Sequence, residues 1–98
     1  MKSRMVGTVT GNLDAAAQLI RLKISFATNT EFLVWVEGDG IYMSPVSTRE
    51  SQKVAREHPH QVVNSYVLTR RTPKGDLIHS LKVKDVLEDL QFHLGEPA

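Results

Sequence analysis

The sequence predicts a single α+β domain over residues 1–98, with a largely antiparallel sheet of about five strands and two to three helices in the order β-α-β-β-α-β-β-α. Three observations carry that class. The run FLVWV (Phe32–Val36) is followed by EGDG and then by Ile41, Tyr42 and Met43, the outline of a hairpin. Asp14 stands ahead of Ala15, Ala16 and Ala17, a cap followed by strong helix formers. Val83, Val86, Leu87, Leu90 and Leu94 recur at helical spacing before Gly95 and Pro97.

Taken in order, Met5, Gly7 and Val9 alternate with Val6, Thr8 and Thr10 as a first strand, which Gly11 and Asn12 break. A helix then runs to about residue 27, with Ala16, Leu19, Ile20, Ile24 and Ala27 on one face. A competing pattern runs through it. Ile20, Leu22, Ile24 and Phe26 alternate with Arg21, Lys23 and Ser25, as a half-buried strand would. The Ala run and the cap favour the helix.

Phe32–Val36 is apolar at every position, which suits a strand buried on both faces. Asp39-Gly40 is a dipeptide favoured in tight hairpin turns, Ile41 to Met43 form the return strand and Pro45 ends it. Ser47 and Glu50 have the spacing of a capping box for a helix that Pro59 stops after His58. Its apolar side holds little beyond Val54 and Ala55. Val62 to Thr69 reads as a strand with Val63 and Val67 on one face and Val62, Tyr66 and Leu68 on the other. Thr72-Pro73-Lys74-Gly75 is a favourable type I turn, and Leu77, His79, Leu81 and Val83 alternate as its return strand. The chain thus reads as two successive hairpin–helix units, with every helix expected on one face of the sheet. The other face would then leave Trp35 and its neighbours partly exposed, and an exposed apolar patch marks a contact surface.

Composition narrows the function classes. The chain is 41% apolar and 23% charged, which decides against disorder, and its net charge of +1 leaves no global field for a polyanion. The charge is segregated along the chain. Residues 47–84 hold eight basic groups against three acidic, whereas the segment from Asp85 onward holds four acids and no Lys or Arg. The absence of Cys rules out disulfides and thiolate chemistry and suits the cytoplasm. No secretory leader and no membrane span is expected.

No catalytic motif is visible: the chain has no G-x-S-x-G elbow and no Cys–His pair, and Gly38-Asp39-Gly40 lies between strands rather than before a helix. His58-Pro59-His60 offers two ligands where zinc wants three or four, and His79 and His93 are the only other histidines. No cofactor or metal is therefore expected, and no enzyme. His79, between Leu77 and Leu81, reads as a core histidine. Asp85, Glu88 and Asp89 suit the dipole of the last helix, and as a minor variant they would mimic nucleic-acid phosphate.

Three readings remain. The first is a small non-enzymatic adaptor, modulator or inhibitor that docks a protein partner, or a second copy of itself as a homodimer, through the sheet face at Trp35 and Tyr42. The second is a nucleic-acid binder using Arg70, Arg71 and Lys74 at the 69–76 hairpin tip. Arg49, Lys53 and Arg56 on one face of helix 48–58 would extend that patch. A small-molecule site between Trp35 and His79 is a third, and it would require an enclosed pocket.

Overall fold

The centre of the fold is a hairpin that forms because its two strands carry apolar side chains on both faces. β2 (Phe32–Glu37) and β3 (Gly40–Pro45) pair antiparallel from Phe32↔Pro45 to Glu37↔Gly40. The computed structural model describes residues 4–26, 29–67 and 83–95. Within them β1 (Met5–Thr8) pairs antiparallel with β3, and β4 (Val62–Tyr66) with β2, giving four strands in the order β1-β3-β2-β4. The expected return strand 77–83 falls outside the described residues, except that Val83 opens α3 instead.

The turn sits one residue earlier than Asp39-Gly40. Gly38 and Asp39 are its two central residues, and Gly38 has φ +60°, the pattern of a II′ loop with Gly first. Gly40 is already in β3, where a Cβ would meet the Tyr42 ring at 2.7 Å.

α1 (Leu13–Phe26) settles the helix-versus-strand conflict in favour of the helix. Asn12, not Asp14, caps it: Asn12 Oδ1 accepts from the Asp14 and Ala15 amides at 2.9 and 3.2 Å, while Asp14 accepts from Gln18 one turn on. α1 lies close on β1, since a Cβ on Gly7 would stand 2.7 Å from that of Ala16. α3 (Val83–His93) packs beside α1, and Gly95 follows it with φ +75°, the left-handed conformation that terminates helices.

The two faces of the sheet carry separate cores. On the first, α1 and α3 bury Ala16, Ala17, Ile20, Ile24, Val86 and Leu90 against Val6, Val34, Ile41, Met43 and Tyr66. The second face is not open. α2 (Arg49–Glu57) crosses it and encloses Leu33, Trp35, Tyr42 and Val54, flanked by Val46 and Val62. The expectation of all helices on one face is therefore corrected. α2 docks with only one large apolar side chain, Val54, because hydroxyl groups do the rest.

Thr48, not Ser47, is its N-cap and accepts from the Ser51 amide at 3.2 Å. The same Thr48 hydroxyl donates to Pro45 O at 2.9 Å and lies 2.9 Å from Ser44 Oγ, while buried Ser51 donates to Ser44 O at 3.2 Å. These bonds fasten the start of α2 to the end of β3.

The faces of β4 also differ from simple alternation. The register against β2 shifts between Val34↔Asn64 and Trp35↔Val62, leaving Val63 as the extra residue of a bulge. The bulge inverts the parity of the strand. Val62 and Tyr66, expected together, point to opposite faces: Val62 to the α2 core and Tyr66 to the α1–α3 core.

Candidate functional site

Trp35 and Tyr42 are not available as a contact surface. Trp35 is 1% exposed, and Tyr42 stacks on it with ring centroids 5.8 Å apart and planes 18° apart. The two rings are the floor on which α2 sits. At the rim of this core, Glu37, Glu50, Lys53, Val54, His58 and Gln61 line a cleft of about 420 Å³. Trp35 Nε1 and Gln61 Oε1 are buried close to the chain of this region without a hydrogen-bond partner. Gln61 ends the short 3-10 turn (Pro59–Gln61) just before Val62, the β4 residue paired with Trp35, so among the described residues a buried donor and a buried acceptor are left unmatched at the start of β4.

The surface that is apolar lies elsewhere, on α1. Ala15, Leu19, Leu22 and Phe26 follow one another at steps of four, three and four residues and so form a single stripe along the helix. All four are exposed: Leu19 is 37%, Leu22 52% and Phe26 87% accessible. At 100° per residue the stripe is roughly 145° round the axis from the buried set Ala16, Ala17, Ile20 and Ile24. α1 therefore has two apolar sides, one inside the core and one facing solvent. Leu19, read from sequence as a core residue, belongs to the outer side.

The alternation of Ile20, Leu22, Ile24 and Phe26 was the available signal for this stripe. A helix cannot place all four on one face, so choosing the helix commits Leu22 and Phe26 to the outside. Among the described residues two further large apolar side chains are exposed, Met5 on β1 and Phe92 on α3.

The basic residues divide. Arg49, Lys53 and Arg56 are all exposed and project from α2 on the side opposite Ser51 and Val54. Arg56 is paired with Glu57 at 3.4 Å, and Glu50 on the same helix pairs with Arg4 at 3.3 Å. The α2 surface is therefore mixed in charge rather than basic. Arg70, Arg71 and Lys74 lie outside the described residues, as does His79.

His58 and His60 stand edge to face with ring centroids 6.1 Å apart, and His58 closes α2 through its amide to Val54 O. Among the described residues no three His, Asp or Glu side chains are grouped to hold a metal ion. No helix among them is long and apolar enough to cross a membrane.

A second, shallower groove of about 530 Å³ runs between β4 and α3, lined by residues including His60, Asn64, Asp89, Phe92 and His93. Its floor is structural. Asp89 Oδ2 accepts from Tyr66 Oη at 2.7 Å and from Asn64 Nδ2 at 3.1 Å, tying α3 to β4. Burial first, then the hydrogen bond to Asp89 and the charges of Asp89 and Asp85, push the Tyr66 phenol far above the usual tyrosine range. This also removes Asp89 from the acidic face read as a phosphate mimic, leaving Asp85 and Glu88 outermost.

Compared with protein-family models, curated proteins and solved structures, the chain matches none.

Proposed function

We propose that the chain is a non-enzymatic interaction module, an adaptor or modulator that docks a protein partner through the outer side of α1. The single observation behind this reading is the continuous stripe of Leu19, Leu22 and Phe26, the last 87% exposed while the strand aromatics Trp35, Tyr42 and Tyr66 are buried. A helix that lays an apolar face against a partner is a recurrent mode of recognition, with anchors at i, i+3 or i+4, and i+7. Covering Leu22 and Phe26 gains about 1.5–3 kcal/mol for each side chain fully buried. A soluble surface without a partner gives no return for keeping them there. The absence of Cys suits a reducing cytoplasm as its place of work.

The test is a photo-crosslinking amino acid placed at Leu22 and, as a control, at exposed Gln52 on α2, in the cells that make the protein. Discrete adducts from position 22 and none from position 52 support the reading. No adduct from either position sinks it.

A second reading rests on the outward cations Arg49, Lys53 and Arg56 of α2, to which the sequence adds Arg70, Arg71 and Lys74. Nucleic-acid binding of this kind must weaken steeply with salt and fall further in Lys53→Ala. Binding that is absent at low salt removes it.

A further inference from the structure

We infer that the occupant of the α1 stripe is a second copy of this chain, and that the two α1 helices pack antiparallel across a two-fold axis. The inference rests on the docking reading above and names its partner.

The stripe is self-complementary in only one direction. It begins with the smallest apolar side chain, Ala15, and ends with the largest, Phe26, with Leu19 and Leu22 between them. Reversing one copy about the midpoint of these four residues sets Ala15 of each helix under Phe26 of the other and Leu19 against Leu22. Large then meets small at both ends, as close packing requires. A parallel pairing would instead set Phe26 on Phe26 at one end and leave a gap between two alanines at the other.

The helix dipoles favour the same pairing: antiparallel packing opposes the two dipoles, whereas a parallel pair would align them. A two-fold axis needs one patch that matches itself, and this stripe does so in size.

The patch is small against the ~1,200–2,000 Å² of a stable interface, so the dimer is of the weak, concentration-dependent kind. Sedimentation of the intact protein, from about 10 µM to 1 mM, should show reversible monomer–dimer exchange. Leu22→Glu, a good helix former at an exposed position, should weaken association at least about tenfold while the far-UV circular dichroism and melting temperature stay unchanged.

The chain has no Cys, so single cysteines report register directly. A mixture of Leu19→Cys and Leu22→Cys proteins should form a mixed disulfide dimer. Ala15→Cys alone should not, because its two copies would sit about 16 Å apart in the antiparallel pair, beyond disulfide reach.

A monomer throughout the range overturns the inference, as does a dimer indifferent to Leu22→Glu or one that Ala15→Cys locks. The adducts from position 22 separate this from the wider reading. A foreign protein captured there by a monomeric chain refutes self-pairing and leaves docking intact, whereas no adduct at all removes both.

Discussion

The two faces of the sheet are closed by different physics. Among the described residues, the α1–α3 face is held by eleven buried residues from two helices and four strands, all of them apolar but for the hydroxyl of Tyr66. The α2 face is held by four of the described residues, Leu33, Trp35, Tyr42 and Val54, together with the hydroxyls of Ser44, Thr48 and Ser51. Apolar burial is non-directional and tolerant of small shifts. Hydroxyl bonds are directional, and each adds only ~1 kcal/mol net. The first face should therefore be the stable foundation, and the second a thinner layer latched at one end of a short helix.

The largest expected effect tests that division. Trp35→Ala removes the widest ring from the smaller core and should cost about 3–5 kcal/mol, against about 2–5 kcal/mol for Ile20→Ala on the other face. The comparison turns on where the loss appears. In Trp35→Ala, amide exchange should rise first in α2 (Arg49–Glu57) while the α1 amides keep their protection. Equal loss of protection in α1 and α2 would mean that the two cores open as one unit.

Next in size is the latch itself. Thr48 caps α2, bonds back to Pro45 O and touches both serines of the cluster. Thr48→Ala should cost about 1–2 kcal/mol, measured by denaturant unfolding, with Thr48→Ser recovering most of it. Ser47→Ala is the control, since Ser47 enters the network only through its carbonyl oxygen, which accepts from Gln52. A Ser47→Ala loss equal to that of Thr48→Ala would return the cap to the sequence-based position.

The same contrast explains what was legible in the sequence. The α+β class, the antiparallel pairing, the central place of Phe32–Val36 and the helices at both ends follow from apolar periodicity, which the first face obeys. The fifth strand is not among the described elements, and the side of the sheet that α2 covers was not legible. Apolar counting sees only Val54 and Ala55 in α2 and cannot see a hydroxyl lock, because Ser44, Thr48 and Ser51 are as common in turns as in clusters. The parity of β4 was hidden by the bulge at Val63, which no local residue announces. The candidate site was half legible. Trp35 and Tyr42 drew attention as large aromatics and proved to be core, while Leu22 and Phe26 stood in the sequence as an unresolved alternation.

The smallest effect concerns the Tyr66–Asp89 bond at the edge of the apolar face, and its pH dependence has a definite sign. Tyr66 is buried among the α1–α3 core residues and donates to Asp89 Oδ2 at 2.7 Å. Tyr66→Phe should cost about 1 kcal/mol at neutral pH. The folded state holds the phenol proton more tightly than the unfolded chain, whose tyrosines titrate near ~10. Between those two values the native state binds more protons, so stability must fall as pH rises. The contribution of Tyr66 is thus fully present below about pH 10 and is lost progressively above it, on the way to the higher native value. Phe at position 66 carries no such proton. The stability gap between the parent and Tyr66→Phe should therefore be constant from pH 6 to 9, then narrow and reverse under alkaline conditions. A gap that stays constant through about pH 11 would mean that the phenol is not held as its burial and its bond to Asp89 require. It would also place the polar tie between α3 and β4 on Asn64 alone.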